Sequence, residues 1–117
     1  MRTGQIAVEY TGETCILVLK GEHDLSTAPD VRVHVEDAVI AGGDVVVDLT
    51  EVGFIDSSIL GVLVAGYRSV TAAARGFAVV AVPQSSVTRL LDLVSMSDVI
   101  PVYPTRAEAV STLGRES

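Results

Sequence analysis

Short apolar segments alternate with helical segments through most of this chain, and that alternation restricts the folds it can adopt. Residues 45–49 are apolar except for one aspartate, the pattern of a strand covered on both faces or lying deep in a half-covered sheet. A helical pattern follows over 57–74, then a strand pattern over 77–82 and a helical pattern over 85–94. Such strand–helix–strand repeats join strands through right-handed crossovers, so we expect a sheet with helices packed on it.

The N-terminal part of the chain predicts a hairpin and a helix. Residues 5–10 and 14–20 have strand patterns, and a short turn containing glycine favours antiparallel pairing between them. A helix is expected to start at a cap on Ser26 or Thr27, with a proline in its first turn, and to end at the glycine pair 42–43.

A short strand over 99–102 and a helix opened by a capping box at 105–108 complete the predicted order of elements. That order is β-β-α-β-α-β-α-β-α, which indicates an α/β fold with a single-layer mixed sheet of about five strands and helices packed on it. No linker, repeat or low-complexity segment divides the chain. We therefore expect residues 1–117 to form a single domain with its core at about 5–113.

Composition argues against several classes of function. A chain of 117 residues with 49% apolar and 20% charged residues is typical of one globular domain. A formal net charge of -7 argues against direct nucleic-acid binding, because phosphate contacts need a basic surface. The apolar windows are too short to cross a bilayer, so we expect a cytoplasmic protein with no membrane partner. The lone Cys15 is expected to be buried, and the sequence predicts neither a metal site nor a cofactor.

A hydroxyl group stands where the central strand gives way to the second helix. Asp56 can cap the free amides of this helix, and Ser57 then becomes its first residue, near the positive end of the helix dipole. Backbone amides at that position favour an anion such as phosphate. Aspartate and serine also start helices for purely structural reasons, so these residues alone leave capping and phosphate acceptance both open.

The second helix has two sides of different character when its residues are projected at about 100° each. One side is an apolar stripe suited to the sheet: Leu60, Leu63, Val64, Tyr67, Val70 and Thr71. The other side carries mostly small residues: Ser57, Gly61, Ala65 and Ala72, with Ser58, Val62, Arg68 and Ser69 nearby. We expect this second side to be a docking face for another protein, the alternative being a cover provided by the same domain.

Several separated motifs occur in a fixed order along the chain. They are the segment 21–29 (GEHDLSTAP), the segments 45–50 and 54–58 (VVVDLT and FIDSS), and the segment 60–63 (LGVL). Together they resemble the STAS domain family, specifically its stand-alone bacterial anti-sigma factor antagonists, and the resemblance covers residues 5–109.

The resemblance implies a regulator of transcription that works by partner switching in a stress response. In the family, the first serine of the Asp-Ser-Ser motif, by position Ser57, accepts phosphate from a serine-kinase anti-sigma factor. The unmodified protein binds that factor and frees a sigma factor, and a protein phosphatase resets the switch. Asp24 matches a residue beside the phosphate acceptor, Asp56 matches the capping aspartate, and Ile59 stands where many members have glycine.

The expected partner surface combines these positions with the small-residue side of the second helix. It comprises Asp24, Asp56, Ser57, Ser58, Ile59, Gly61, Val62, Ala65 and Arg68. We expect phosphorylation on Ser57 rather than Ser58, because adjacent helical positions point about 100° apart. A phosphate adds a charge of about -1.5 to -2, which the helix N-terminus tolerates but a partner surface shaped for a hydroxyl does not.

Two competing functions use the same residues differently. An enzyme would use Ser57 as nucleophile with His23 or His34 as base, but no oxyanion motif accompanies them, so we expect no catalytic activity. A constitutive STAS subunit of a transporter or of a stress-signalling assembly would dock through the same helix, with Ser57 serving only as a cap. Such a subunit would bind its partner equally well with or without phosphate.

Overall fold

A computed structural model of the protein describes residues 4–116, so that residues 1–3 and 117 of the expected domain lie outside it. Within that range the strands are β1 (Gln5–Thr11), β2 (Thr14–His23), β3 (Val45–Ile55), β4 (Phe77–Val80) and β5 (Val102–Tyr103). The helices are α1 (Ala28–Ala41), α2 (Ser57–Ala72), α3 (Ser86–Leu93) and α4 (Arg106–Glu116). This order confirms the predicted α/β fold with a mixed sheet.

The sheet has the strand order β1-β2-β3-β4-β5, with β1 antiparallel to β2 and the other pairs parallel. The β1–β2 hairpin turns at Gly12, whose φ of 60° is a conformation that glycine adopts at little cost. Because β2, β3 and β4 are parallel, their carboxyl ends lie at the same end of the sheet. The loops that lead into α1, α2 and α3 therefore meet at that end.

The two faces of the sheet carry separate apolar cores. Helices α1, α2 and α3 cover one face, and their buried side chains pack on alternate residues of the strands, such as Leu17 and Val47. Helix α4 covers the other face and forms a smaller core: Ile16, Val18, Val46, Ala78, Val80, Ala109 and Leu113. This alternation follows from the two-residue repeat of a strand, and it explains why residues 45–49 are all buried.

An ion pair holds the start of α4 against the sheet. Arg106 donates from Nη2 to Oδ2 of Asp48 at 2.8 Å and from Nη1 to Oε1 of Glu9 at 3.0 Å. Burial alone would raise the pKa of Asp48, but hydrogen bonds from Thr50 and the pair with Arg106 outweigh it and hold that pKa below its usual range. The one charged side chain in the run 45–49 therefore fixes α4 in place.

Helix α2 packs on α1 as well as on the sheet. Gly66 lies at this contact, where an added Cβ would come within 2.7 Å of Cγ1 of Val35 and 3.1 Å of Cε2 of Phe77. Only a residue without a side chain allows α1, α2 and β4 to approach this closely. The side of α2 that faces α1 is therefore covered by this domain itself.

Several strand boundaries differ from the prediction: β2 extends to His23 rather than to residue 20, and β4 ends at Val80 rather than at residue 82. Strand β3 continues to Ile55, because it stays paired with β2 as far as His23. The last strand was expected over 99–102 but occupies only Val102–Tyr103. Residues 99 and 100 instead complete a helical turn, since the amides of Val99 and Ile100 both donate to the carbonyl of Met96.

Candidate functional site

The candidate site lies where the β2–α1 loop meets the start of α2. Asp56 is the N-cap of α2, and its Oδ1 accepts from the amides of Ser58 at 3.0 Å and Ile59 at 3.3 Å. The hydroxyl of Ser58 donates to the same oxygen in a short hydrogen bond. The hydrogen bond from the Ser58 hydroxyl makes the largest contribution to lowering the pKa of Asp56, and the backbone amides lower it further, whereas burial acts in the opposite direction. The carboxylate of Asp56 is therefore charged at neutral pH.

The second oxygen of Asp56 fixes the neighbouring loop. The amide of Leu25 donates to Oδ2 of Asp56 at 3.1 Å, across 31 positions of sequence. Within the loop, Oδ1 of Asp24 accepts from the hydroxyl of Ser26 at 2.6 Å and from its amide at 2.9 Å. These bonds lower the pKa of Asp24, although burial and the nearby carboxylate of Asp56 act in the opposite direction. Two charged carboxylates thus lie together beside the start of α2.

Ser57 and Ser58 differ in what their hydroxyls do. Ser57 is exposed and its hydroxyl makes no hydrogen bond within the described residues, whereas Ser58 is half-buried and its hydroxyl is bonded to Asp56. A kinase could reach the Ser57 oxygen without breaking any bond of the fold. The Ser58 oxygen would first have to leave the helix cap.

The structure divides the expected partner surface into accessible and inaccessible positions. Ser57, Gly61 and Arg68 are exposed, and four more are half-buried: Asp24, Asp56, Ser58 and Ala65. Ile59 and Val62 are 0% and 1% exposed, so the expectation that their side chains belong to that surface is wrong. They pack instead in the core beneath α1 and α2.

The buried face of α2 differs from the apolar stripe expected from the helical projection. Leu60, Leu63 and Val70 are buried as expected, but Thr71 is exposed and Val64 is only half-buried. The buried face instead extends to residues that meet α1: Ile59, Val62 and Gly66. A groove of about 470 Å³ remains between the two helices, with Val35, Val39 and Ala65 among its lining residues. Helix α1 of the same domain thus covers the part of the small-residue face that contains Val62.

Sequence reasoning missed Leu25 as a candidate contact residue. Its side chain is 74% exposed although its backbone is held by Asp56 and by the Asp24 turn. An apolar residue in an otherwise polar loop directly after Asp24 was the available signal. A fixed, exposed leucine beside an accessible serine is a contact point that a partner can bury without ordering the loop first.

His23 has a structural position that its sequence context did not reveal. Its ring is fully buried, and Nε2 donates to the carbonyls of Gln5 at 3.2 Å and Lys20 at 3.1 Å. Nδ1 lies 3.1 Å from the hydroxyl of Thr27. That hydroxyl also accepts from the Asp24 amide, so Thr27 occupies the N-cap of α1 without capping its amides, unlike the prediction.

The two histidines considered as possible bases form hydrogen bonds elsewhere in the part of the chain that the structure describes. Among residues 4–116, neither His23 nor His34 bonds to Ser57, and His34 instead bonds through Nδ1 to the carbonyl of Asp30. No cluster of three metal-ligating side chains occurs among those that the structure describes. None of the helices described there is long and apolar enough to span a bilayer.

Comparisons with known proteins find related sequences and related folds. The STAS domain family model matches residues 5–109. An anti-sigma F factor antagonist from Paenibacillus polymyxa is 31% identical over 111 residues, covering 93% of this chain and 94% of that protein. The crystal structure of an anti-sigma factor antagonist from Mycobacterium paratuberculosis superposes with a TM-score of 0.87 at 27% identity, covering 96% of this chain and 95% of that one. SpoIIAA from Bacillus in its phosphorylated form shares the fold, with a TM-score of 0.70 at 21% identity over 92% of this chain and 98% of that one.

Proposed function

This chain belongs to the STAS domain family, and we propose that it acts as an anti-sigma factor antagonist. In this proposal the unphosphorylated protein binds a serine-kinase anti-sigma factor in the cytoplasm and so releases a sigma factor. The observation that carries it is the exposed, unbonded hydroxyl of Ser57 at the start of α2, beside the fixed Asp24–Leu25 loop. The names of similar proteins support the same function.

Phosphorylation of Ser57 is the proposed switch. The Ser57 oxygen attacks the γ-phosphorus of ATP held by the kinase, its proton passes to a base of the kinase, and ADP leaves. A phosphatase later hydrolyses the phosphate ester with water and restores the hydroxyl. The protein supplies the acceptor and no catalytic group of its own.

Electrostatics explain how this modification would release the partner. Phosphoserine would join the carboxylates of Asp24 and Asp56, both of which have lowered pKa values and are charged at neutral pH. Arg68 lies on the same helix but about 16 Å farther along it, too far to neutralise the new charge. A partner that fits the unmodified site would have to bury an uncompensated dianion, which costs several kcal/mol.

The proposed partner surface consists of the accessible positions around Ser57. It comprises Asp24, Leu25, Asp56, Ser57, Ser58, Gly61, Ala65 and Arg68, while Ile59 and Val62 support the helix from beneath.

The test combines a kinase assay with binding measurements on an anti-sigma factor of serine-kinase type from the same genome. Wild type and Ser58→Ala are expected to accept phosphate, and Ser57→Ala is expected to accept none. Ser57→Ala should bind the kinase about as well as wild type, and Ser57→Asp at least tenfold more weakly. Equal binding by Ser57→Ala and Ser57→Asp would refute the switch and favour a constitutive STAS subunit.

A further inference from the structure

The outer edge of β1 is open. Within residues 4–116, β1 pairs only with β2, and its seven residues leave a row of backbone groups without a strand partner. The opposite edge of the sheet, β5, is two residues long and lies between Pro101 and Pro104. Short length and flanking prolines are common protections against edge-to-edge pairing, whereas β1 contains neither proline nor lysine.

The hydrogen bonds of the neighbouring strand show which residues of β1 direct their backbone outward. Tyr10 lies opposite Cys15, and the amide of Cys15 donates away from β1, to the carbonyl of Asp44 at 2.9 Å. Tyr10 and Cys15 are therefore a non-hydrogen-bonded pair. Because the pattern alternates, Ile6, Val8 and Tyr10 all direct N–H and C=O groups toward the open edge.

This alternation selects one register for pairing with an identical strand. An antiparallel pair related by a two-fold axis at Val8 places Val8 opposite itself and Ile6 opposite Tyr10 of the second copy. All three outward-facing residues then exchange both of their hydrogen bonds, and the seven residues of β1 overlap fully. A register shifted by one residue brings inward-facing backbone groups into the interface and loses these bonds.

The side chains of β1 suit the same register. Val8 and Tyr10 are 46% and 61% exposed, and in the pair Val8 meets Val8 while Tyr10 meets Ile6 of the second copy. On the opposite face, Glu9 meets Ala7 of the second copy. The carboxylate of Glu9 is already paired with Arg106 at 3.0 Å, so no like charges face each other across the axis.

We propose that β1 is a self-association surface at which a second copy of this chain adds its own β1, forming one continuous sheet across a two-fold axis. A second copy is the proposed partner because, when β1 pairs with an identical strand, its outward hydrogen-bonding groups match, its apolar side chains meet, and no like charges face each other. Pairing of two edge strands buries less than the roughly 1,000 Å² of a stable interface, so the dimer is reversible and forms at high concentration. The surface is distinct from the proposed partner surface and does not depend on it.

Sedimentation velocity from about 10 µM to 1 mM tests the proposal, a range set by the small size of the interface. Wild type is expected to shift from monomer toward dimer as the concentration rises. Val8→Lys places two like charges opposite each other on the axis and should weaken association at least tenfold. Val99→Lys is the matched control, because Val99 is 50% exposed but lies outside the sheet.

A second variant and an exchange measurement separate pairing through β1 from other contacts. Val8→Pro removes an outward N–H that the fold does not use, so it should keep the circular dichroism of wild type and lose the dimer. Amide protection of Ile6, Val8 and Tyr10 should rise with concentration, while Ala7 and Glu9, bonded to β2, stay protected throughout. A protein that stays monomeric at 1 mM, or equal weakening by Val8→Lys and Val99→Lys, would overturn the proposal.

Discussion

The carboxylate of Asp56 joins two elements of the site, because Oδ2 accepts from the amide of Leu25 at 3.1 Å while Oδ1 caps α2. The start of α2 and the β2–α1 loop are thereby one structural unit. The backbone of Leu25 is held at Asp56, the residue before Ser57, and its side chain is 74% exposed.

Asp56→Ser should separate these two tasks of the aspartate. Serine is a good N-cap but has a single side-chain oxygen, so α2 should keep its start while the Leu25 amide loses its acceptor. We expect the exchange rate of that amide to increase at least tenfold by NMR, with α2 amides little changed. Asp56→Ala, which removes both tasks, should also speed exchange in the first turn of α2. An unchanged Leu25 amide in Asp56→Ser would show that the bond does not hold the loop.

Leu25→Ala should weaken binding to the anti-sigma factor. Burying a leucine side chain contributes about 1.5–3 kcal/mol, so a loss of about 10- to 100-fold in affinity is expected by isothermal titration calorimetry. Leu93→Ala is a matched control, since Leu93 is 80% exposed and lies on α3. Similar affinities for the two variants would exclude Leu25 from the interface, whereas no binding by wild type would refute the proposed function itself.

Gly66→Ala and Gly61→Ala should change stability in opposite directions. A Cβ at Gly66 would lie 2.7 Å from Val35, and the clash should outweigh the gain in helix propensity, a net loss of about 1–2 kcal/mol. A Cβ at Gly61 meets nothing within 4 Å, so alanine there should add about 1 kcal/mol. Urea unfolding of both variants measures the difference. A stabilised Gly66→Ala would mean that α1 and α2 are not closely packed at this point.

The stability contributed by the Asp48–Arg106 pair should depend on pH. Because the pKa of Asp48 is lowered in the folded protein, its contribution is present above the unfolded value of about 3.9 and is lost as pH falls through the folded value. Arg106→Met should cost about 2 kcal/mol at pH 7, below the usual range for buried pairs because Arg106 is partly exposed. Urea unfolding between pH 3 and 7 should show this cost shrinking below about pH 4.

Arg89→Met is the control for that measurement, since Arg89 is exposed and makes no ion pair with any side chain that the structure describes. Its unfolding free energy should match wild type at every pH. A deficit of Arg106→Met that stays constant down to pH 3 would assign the effect to lost packing of the arginine rather than to charge.

The sequence predicted those features that depend on local patterns. The order of elements, the antiparallel hairpin and the Asp56 cap follow from periodicity, turn residues and capping chemistry, all of which act over a few residues. The burial of Val62 could not be predicted in this way, because it depends on where α1 packs against α2. Thr27 is a similar case. Its hydroxyl is bonded to the buried ring of His23 and to the Asp24 amide, so it does not cap the amides of α1.

The Arg106 contacts span 58 residues to Asp48 and 97 residues to Glu9. A ribosome adds about 5–20 residues per second. Helix α4 is therefore synthesised several seconds after Ile16 and Val18, which lie on the face of the sheet that it covers. During translation this apolar face is open to chaperones and to neighbouring nascent chains. The time needed to synthesise α4, rather than the stability of the folded protein, therefore determines how long the nascent chain exposes this apolar face and can aggregate.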